Sequence, residues 1–212
     1  MNVSILTNNR TAFTLFILSA FNFGLLAIRI FTTESLFYGF LIWNLILAAA
    51  PMIISNWLAE NPKACQNKMF FVCTAIWLLF LPNAPYIITD FLHFKNSDGM
   101  PDWFDLLLLM SFSWSGIAFG FLSIAEMHHI WETRFGVKTG WMFIISCCLL
   151  SGFGVYIGRF LRYNSWDIVS NPLELLTDIP LLLLQLRTIG FSLGYGVFLL
   201  LAYSFFKFNS AK

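Results

Sequence analysis

Apolar residues run through this chain in long blocks, and the polar positions are gathered between them. Six blocks lie at 12–31, 36–57, 69–89, 104–125, 139–160 and 189–206. Each reaches the roughly 20 helical residues that cross a hydrocarbon core. The pattern predicts an all-α fold, a polytopic membrane helix bundle of about six transmembrane helices, with 1–212 as a single membrane domain. The first block is expected to stay as a membrane helix and not to act as a cleaved signal. Its apolar stretch exceeds the usual core of about 7–15 residues, and no small-x-small cleavage site follows it. A further apolar stretch, 172–186, is about half a span long and contains Asp178 and Pro180. Asn171-Pro172-Leu173-Glu174 reads as its start, with a cap, a proline in the first turn and a glutamate at the third position. This stretch is expected to be a short interfacial or re-entrant helix before the last span.

Composition narrows the class. The chain is 58% hydrophobic and 11% charged, against about 25% charged in soluble domains, which leaves no room for a soluble domain of any size. A net charge of +1 provides no basic patch for phosphate contacts, so nucleic acid is excluded and membrane lipids are the expected partners. Cys65, Cys73, Cys147 and Cys148 lack zinc spacing and read as packing residues without a disulfide framework.

Basic residues set the expected orientation. Six spans put Arg10, Lys63, Lys68, Arg134, Lys138, Lys207 and Lys212 on one side, and Arg29, Lys95, Arg159, Arg162 and Arg187 on the other. The excess predicts a cell-membrane protein with both termini cytoplasmic.

Two polar segments stand at the ends of apolar blocks. One is Pro82-Asn83-Ala84-Pro85-Tyr86-Ile87-Ile88-Thr89-Asp90-Phe91-Leu92-His93, and the other is Gly158-Arg159-Phe160-Leu161-Arg162-Tyr163-Asn164-Ser165-Trp166-Asp167. Ionisable groups at a membrane boundary are costly unless solvated or used. Alternation of the spans sends the third and fifth to the same outer face. Asp105 opens the fourth span there, Arg29 closes the first, and Asn44 lies in the outer half of the second. These groups are expected to form the two walls of one outer-face pocket.

These same residues carry a resemblance. Asn83-Ala84-Pro85-Tyr86 with Thr89-Asp90 and His93, then Trp103-x-Asp105-Leu-Leu, then Gly158-Arg159-x-x-Arg162-x-Asn164-Ser165-Trp166-Asp167, resemble the bacterial membrane family catalogued as domain of unknown function 1361. The resemblance runs from about Trp43 to the last span. It implies a small multi-pass bacterial membrane protein and brings no activity, the family being uncharacterised.

Each feature has a structural alternative. Asp90 and His93, three apart, share a face of a helical turn and suit a general-base pair or half a metal site; the alternative is a solvated helix end. Pro82 and Pro85 point to a distorted helix just before them, a break tolerated where protein or a polar cavity satisfies the freed carbonyls. Arg159 and Arg162, expected on one face with Tyr156 and Tyr163 beside it, suit bidentate capture of phosphate or carboxylate. Against that stand snorkelling anchors and a salt bridge to Asp167. Asp102 reads as a cap and Asp105 as a cap that can also serve a site. Asn44 within a span needs a partner, either a ligand or a neighbouring helix. His128 and His129, beside Glu126 and Glu132, suggest a metal cluster, but adjacent imidazoles on a helix point about 100° apart and would not readily chelate one ion, so they read as a solvated cytoplasmic loop. Gly116-x-x-x-Gly120, Gly154-x-x-x-Gly158 and Gly190-x-x-x-Gly194 predict close contacts among spans four, five and six, holding Arg159 near Asp105.

Two function classes follow. One is an enzyme acting on a lipid or lipid-linked anionic substrate. Asp90, His93 and Asp167 would be catalytic, with a divalent metal on those three as a variant. Arg159 and Arg162 would hold the anion, with Asn83, Tyr86, Asn44, Asn164, Trp166 and Asp105 lining the substrate. The other is an anion- or proton-coupled binding or transport protein, beside which stands a structural accessory role. Clustering of charge at one interface leans toward the enzyme, because transporters need groups near the midplane and only Asn22 and Asn44 approach it. No nucleophile signature, phosphate loop or zinc-protease motif assigns a reaction, and no cofactor is implied.

Overall fold

The structure, a computed structural model, describes residues 9–96, 99–163, 182 and 185–210. Among these residues the elements are α1 (Asn9–Thr33), α2 (Phe40–Glu60), α3 (Pro62–Gln66), α4 (Met69–Phe80), α5 (Asn83–Tyr86), a 3-10 helix (Ile87–Asn96), α6 (Asp102–Phe135), α7 (Val137–Tyr156), a π-helix (Ile157–Leu161) and α8 (Leu186–Ser210), with no strand. Six stretches among the described residues are long and apolar enough to cross a membrane: Asn9–Thr33, Phe40–Glu60, Met69–Phe94, Asp102–Phe135, Val137–Leu161 and Leu186–Asn209. The protein is all-α and a multi-pass membrane protein. Most of the short helix expected at 172–186 lies outside the described residues, and Leu186 itself opens α8. Large apolar side chains such as Phe16, Phe31, Trp43, Ile53 and Leu201 stand exposed, as they can where lipid is the solvent.

The chain forms two compact units, Met1–Glu126 and Met127–Lys212. In the first, α1 buries Leu15, Asn22, Leu25, Leu26 and Arg29, a stripe at helical spacing. Leu41, Leu45, Ala48 and Met52 of α2, Ala84 and Ile87 of the third span, and Phe104, Leu108, Leu109, Phe112 and Phe119 of α6 complete its core. Gly116 packs against the Ala84 carbonyl, where an added Cβ would come within 2.7 Å of the oxygen. Gly120 meets the Ala84 Cβ. This close approach therefore joins span four to span three.

The third span breaks where its prolines stand. Pro85 has no N–H to give the preceding turn, and α4 stops at Phe80. Side chains bond carbonyls on both sides of the break. Asn83 Nδ2 donates to the Phe80 carbonyl at 2.9 Å, Thr89 Oγ1 to Tyr86 at 2.6 Å, and Ser113 Oγ of α6 to Ile87 at 3.2 Å. The chain then winds as a 3-10 helix for 10 residues, far beyond the usual three or four.

Span four runs farther than its apolar block. α6 has 34 residues, about 51 Å at about 1.5 Å each. Residues 126–135 hold charge but no glycine or proline, so helix continues until Gly136, whose φ of 88° closes it.

In the second unit α7 packs on α8 through glycines. A Cβ on Gly152 would collide with the Ser192 carbonyl and approach the Gly196 nitrogen to 2.8 Å; one on Gly196 would reach Leu149 Cα at 2.7 Å. Spans five and six do pack closely, but through Gly152 and Gly196. The predicted Gly190 and Gly194 have open space around them. The span then loosens into the π-helix, and Arg162 caps it in the left-handed conformation, φ 61° and ψ 25°.

Candidate functional site

The first unit gathers most of the predicted polar residues into two linked sets. On the 3-10 helix, residues three apart eclipse one another, so Asp90 and His93 lie along one line. On α2, Phe40 and Asn44 are four apart and share a face. The two lines meet: Asn44 Nδ2 donates to Asp90 Oδ2 at 2.8 Å, and the Phe40 ring sits 5.2 Å from the His93 ring. Asp90 is buried, at 1% exposure. The partner that Asn44 needs is thus a carboxylate on the neighbouring span. The eclipsed backbone explains why so apolar a helix end can aim two polar groups one way.

The second set is an ion pair. Arg29 Nε donates to Asp105 Oδ1 at 2.8 Å and Nη2 to Oδ2 at 3.4 Å, with both side chains 1% exposed. Arg29 also donates from Nη1 to Thr33 Oγ1 at 3.4 Å, and its guanidinium lies 4.5 Å from the centroid of the buried Tyr38 ring. Tyr38 in turn packs on Phe40 at 6.1 Å. Contacts therefore run from Asp105 through Arg29, Tyr38 and Phe40 to His93. Two-point contact and stacking are what guanidinium offers and an ammonium cannot. Sequence reasoning did not make this pair, although one clue could have found it: a lone cation in an apolar span needs an anion, and Asp105 opens a span on the same side. Asp102, the first residue of α6, is exposed.

Of the other predicted residues, Asn83 is half-buried and bonded to the Phe80 carbonyl, and Tyr86 is half-buried with its carbonyl taken by Thr89. Arg159 and Arg162 belong to the second unit. The helical spacing behind the expected common face ends between them, with Arg159 in the π-helix and Arg162 after it in left-handed backbone. Arg159 is half-buried and Arg162 exposed. Tyr156 packs at a tilt against Phe160 at 5.0 Å and Phe191 at 5.6 Å. Asn164, Trp166 and Asp167 lie outside the described residues. Among the described residues no three His, Cys, Asp or Glu side chains come together in a way that could hold a metal ion.

Two groups acquire places the sequence did not give them. His128 is not in a solvated loop. It is fully buried on α6, where its Nδ1 lies 2.8 Å from the Tyr203 hydroxyl and 3.0 Å from Lys207 Nζ. Its Nε2 lies 3.1 Å from Glu132 Oε1, which also takes the Lys207 ammonium at 2.9 Å. Lysine can only donate, so the network fits a ring that accepts at Nδ1 and donates from Nε2 to Glu132. Trp141 closes the cluster edge-on at 4.7 Å. His129, by contrast, is exposed. The second group is Glu126, also on α6 and 6% exposed, with Oε2 3.1 Å from Ser55 Oγ of α2. Its place beside His128, in a stretch that reads from the sequence as a loop, hid it.

A family model described as "Protein of unknown function (DUF1361)" matches residues 43–202. The chain belongs to that family, as its two polar segments led us to expect. No curated protein and no solved structure matches it.

Proposed function

We propose, for this DUF1361 protein, acid–base chemistry on an anionic lipid or lipid-linked substrate at the membrane boundary. The observation that carries the reading is the buried Asp90 carboxylate held by Asn44, in eclipsed register with His93 on the 3-10 helix. Burying a carboxylate in a membrane span is costly, and such groups are typically functional. A carboxylate and an imidazole in register form an acid–base pair able to take a proton from an attacking hydroxyl or water and return one to a leaving group. Asn44 orients Asp90; the Arg29–Asp105 pair, through Tyr38 and Phe40, braces the wall on which His93 rests.

Arg159 and Arg162 are assigned the anionic group on their chemistry, two planar donors suited to phosphate, and on the π-helix that carries Arg159, a backbone form frequent at functional sites. That assignment rests on no distance to Asp90. Asn83, Tyr86, Asn164 and Trp166 are proposed to line the substrate, Asp167 to orient His93 or an arginine, and the site to face outward. The test is the lipid profile of a deletion strain against its parent. An anionic lipid species that accumulates on deletion supports the reading and names the substrate class. An unchanged profile contradicts it.

A further inference from the structure

The buried imidazole of His128 has no part in the chemistry at Asp90, yet three helices of the second unit close on it. From α6 come Glu132, one turn on, and the exposed His129. From α8 come Tyr203 and Lys207, four apart and so on one face. From α7 come the Trp141 ring and Gly140, with Cys148 close enough to act on Tyr203. The fit is tight at Gly140, where an added Cβ would collide with Glu132 and come within 3.2 Å of His128 Cδ2.

Two features of this arrangement go beyond cohesion. First, one oxygen of Glu132 serves two groups. Oε1 lies 2.9 Å from Lys207 Nζ and 3.1 Å from His128 Nε2. Lysine is already a cation there, and histidine becomes one when it takes a proton. Second, Lys207 is poorly placed for a neighbour that can charge. Its ammonium stands 3.0 Å from Nδ1 and 3.3 Å from Nε2, between the two nitrogens and along neither lone pair. A neutral ring tolerates it there. An imidazolium at that distance repels it, and more strongly away from water. The Tyr203 hydroxyl, 2.8 Å from Nδ1, fits either state, donating to the neutral ring or accepting from the charged one. A protonated His128 is therefore satisfied by Tyr203 and Glu132 without Lys207. Lys207 is 29% exposed and sits in the last turn of α8, so its way out to water is short.

We propose that His128 is a pH-sensitive switch that exchanges one cation for another at Glu132. With the ring neutral, Lys207 holds Glu132 and ties the end of α8 to α6. On acidification the ring takes a proton at Nδ1 and the imidazolium becomes the partner of Glu132. The ammonium leaves its place over the Trp141 ring, 5.1 Å from the centroid, and the last turn of α8 is released. One proton enters the cluster as one ammonium leaves it, so the buried carboxylate keeps a single cation throughout, as a buried ion must. The switch is independent of the acid–base reading at Asp90.

Histidine-selective 15N labelling of the full-length protein in detergent micelles tests it. The chain has three histidines, and the His128 ring is the signal lost in His128→Gln. Between about pH 8 and about pH 4.5, a window that spans imidazole titration, the wild-type ring should pass from protonation at Nε2 alone to protonation at both nitrogens. A nitroxide on Asn209→Cys, with Cys65 and Cys73 replaced by serine, should gain mobility over the same interval. In Lys207→Met, where nothing competes for Glu132, the ring change should come at higher pH, by about one unit. His128→Gln keeps a donor and an acceptor but no charge, and should hold the label restrained throughout; His129→Gln should behave as wild type. A His128 ring that keeps one state across the window overturns the proposal, and that result is read on the unsubstituted chain. So does label mobility that fails to follow the ring, and so does a Lys207→Met ring that changes at the wild-type pH.

Discussion

The two units place charge in opposite ways. In the first, Arg29 and Asp105 meet at 1% exposure each, and Asp90 lies equally buried against Asn44. In the second, the Lys207–Glu132 pair stays 29% and 21% exposed, and Arg162 is exposed; its α7–α8 seam is built on Gly152 and Gly196. Charge withdrawn from water must be matched by fixed partners or it destabilises the fold, whereas charge left at a wet edge costs and contributes little. The first unit has invested its packing in polar groups that an apolar core would not need. That makes it the unit whose chemistry is to be explained. The second unit's α7–α8 seam closes backbone against backbone at its glycines, and its buried polar network is centred on His128 with Tyr203, Lys207 and Glu132.

The comparison can be broken most directly at Arg29. Arg29→Met leaves a buried carboxylate without its bidentate partner, and we expect a loss of about 3–5 kcal/mol, read as a large drop in the thermal midpoint in detergent. Arg29→Met with Asp105→Leu should recover most of that loss, because removing both charges removes the desolvation cost. A single variant as stable as wild type would mean the pair is not buried as described. Next, Gly152→Val in the second unit should cost about 1–3 kcal/mol by overpacking, since the clash is with backbone that cannot swing away. Gly190→Ala, placed in open space, should be neutral or slightly stabilising by up to about 1 kcal/mol. Equal melting of the two glycine variants would show that the α7–α8 seam is not where the structure puts it. Asn44→Leu takes a donor from Asp90 and should cost about 1–3 kcal/mol, measured by denaturation alongside the others. The smallest effect belongs to Lys207→Ala, about 0–1 kcal/mol and weaker in high salt. A larger loss there would erase the contrast between the units.

Much of this architecture was legible in the sequence, and the misreadings have physical reasons. Spans stand out because about 20 apolar residues in a row have few other uses. The break at Pro82 and Pro85 followed from a missing N–H, but the form of the chain beyond it, a 3-10 helix in register with α2, depended on Ser113 and Asn44 on other spans. The identity of Arg29's partner was hidden by sequence distance. His128 was misplaced because charge in the stretch 126–135 imitates a loop, although nothing there stops a helix before Gly136. Spacing alone could not tell Gly190 and Gly194 from Gly152 and Gly196, since a glycine is used only where a backbone faces it.

The acid–base reading stands or falls on Asp90 and His93. A deletion strain complemented with Asp90→Asn or His93→Gln, at protein levels matched to wild type, should keep the altered anionic-lipid profile of the uncomplemented strain, while the wild-type gene restores the parental one. Full restoration by both variants would contradict the account.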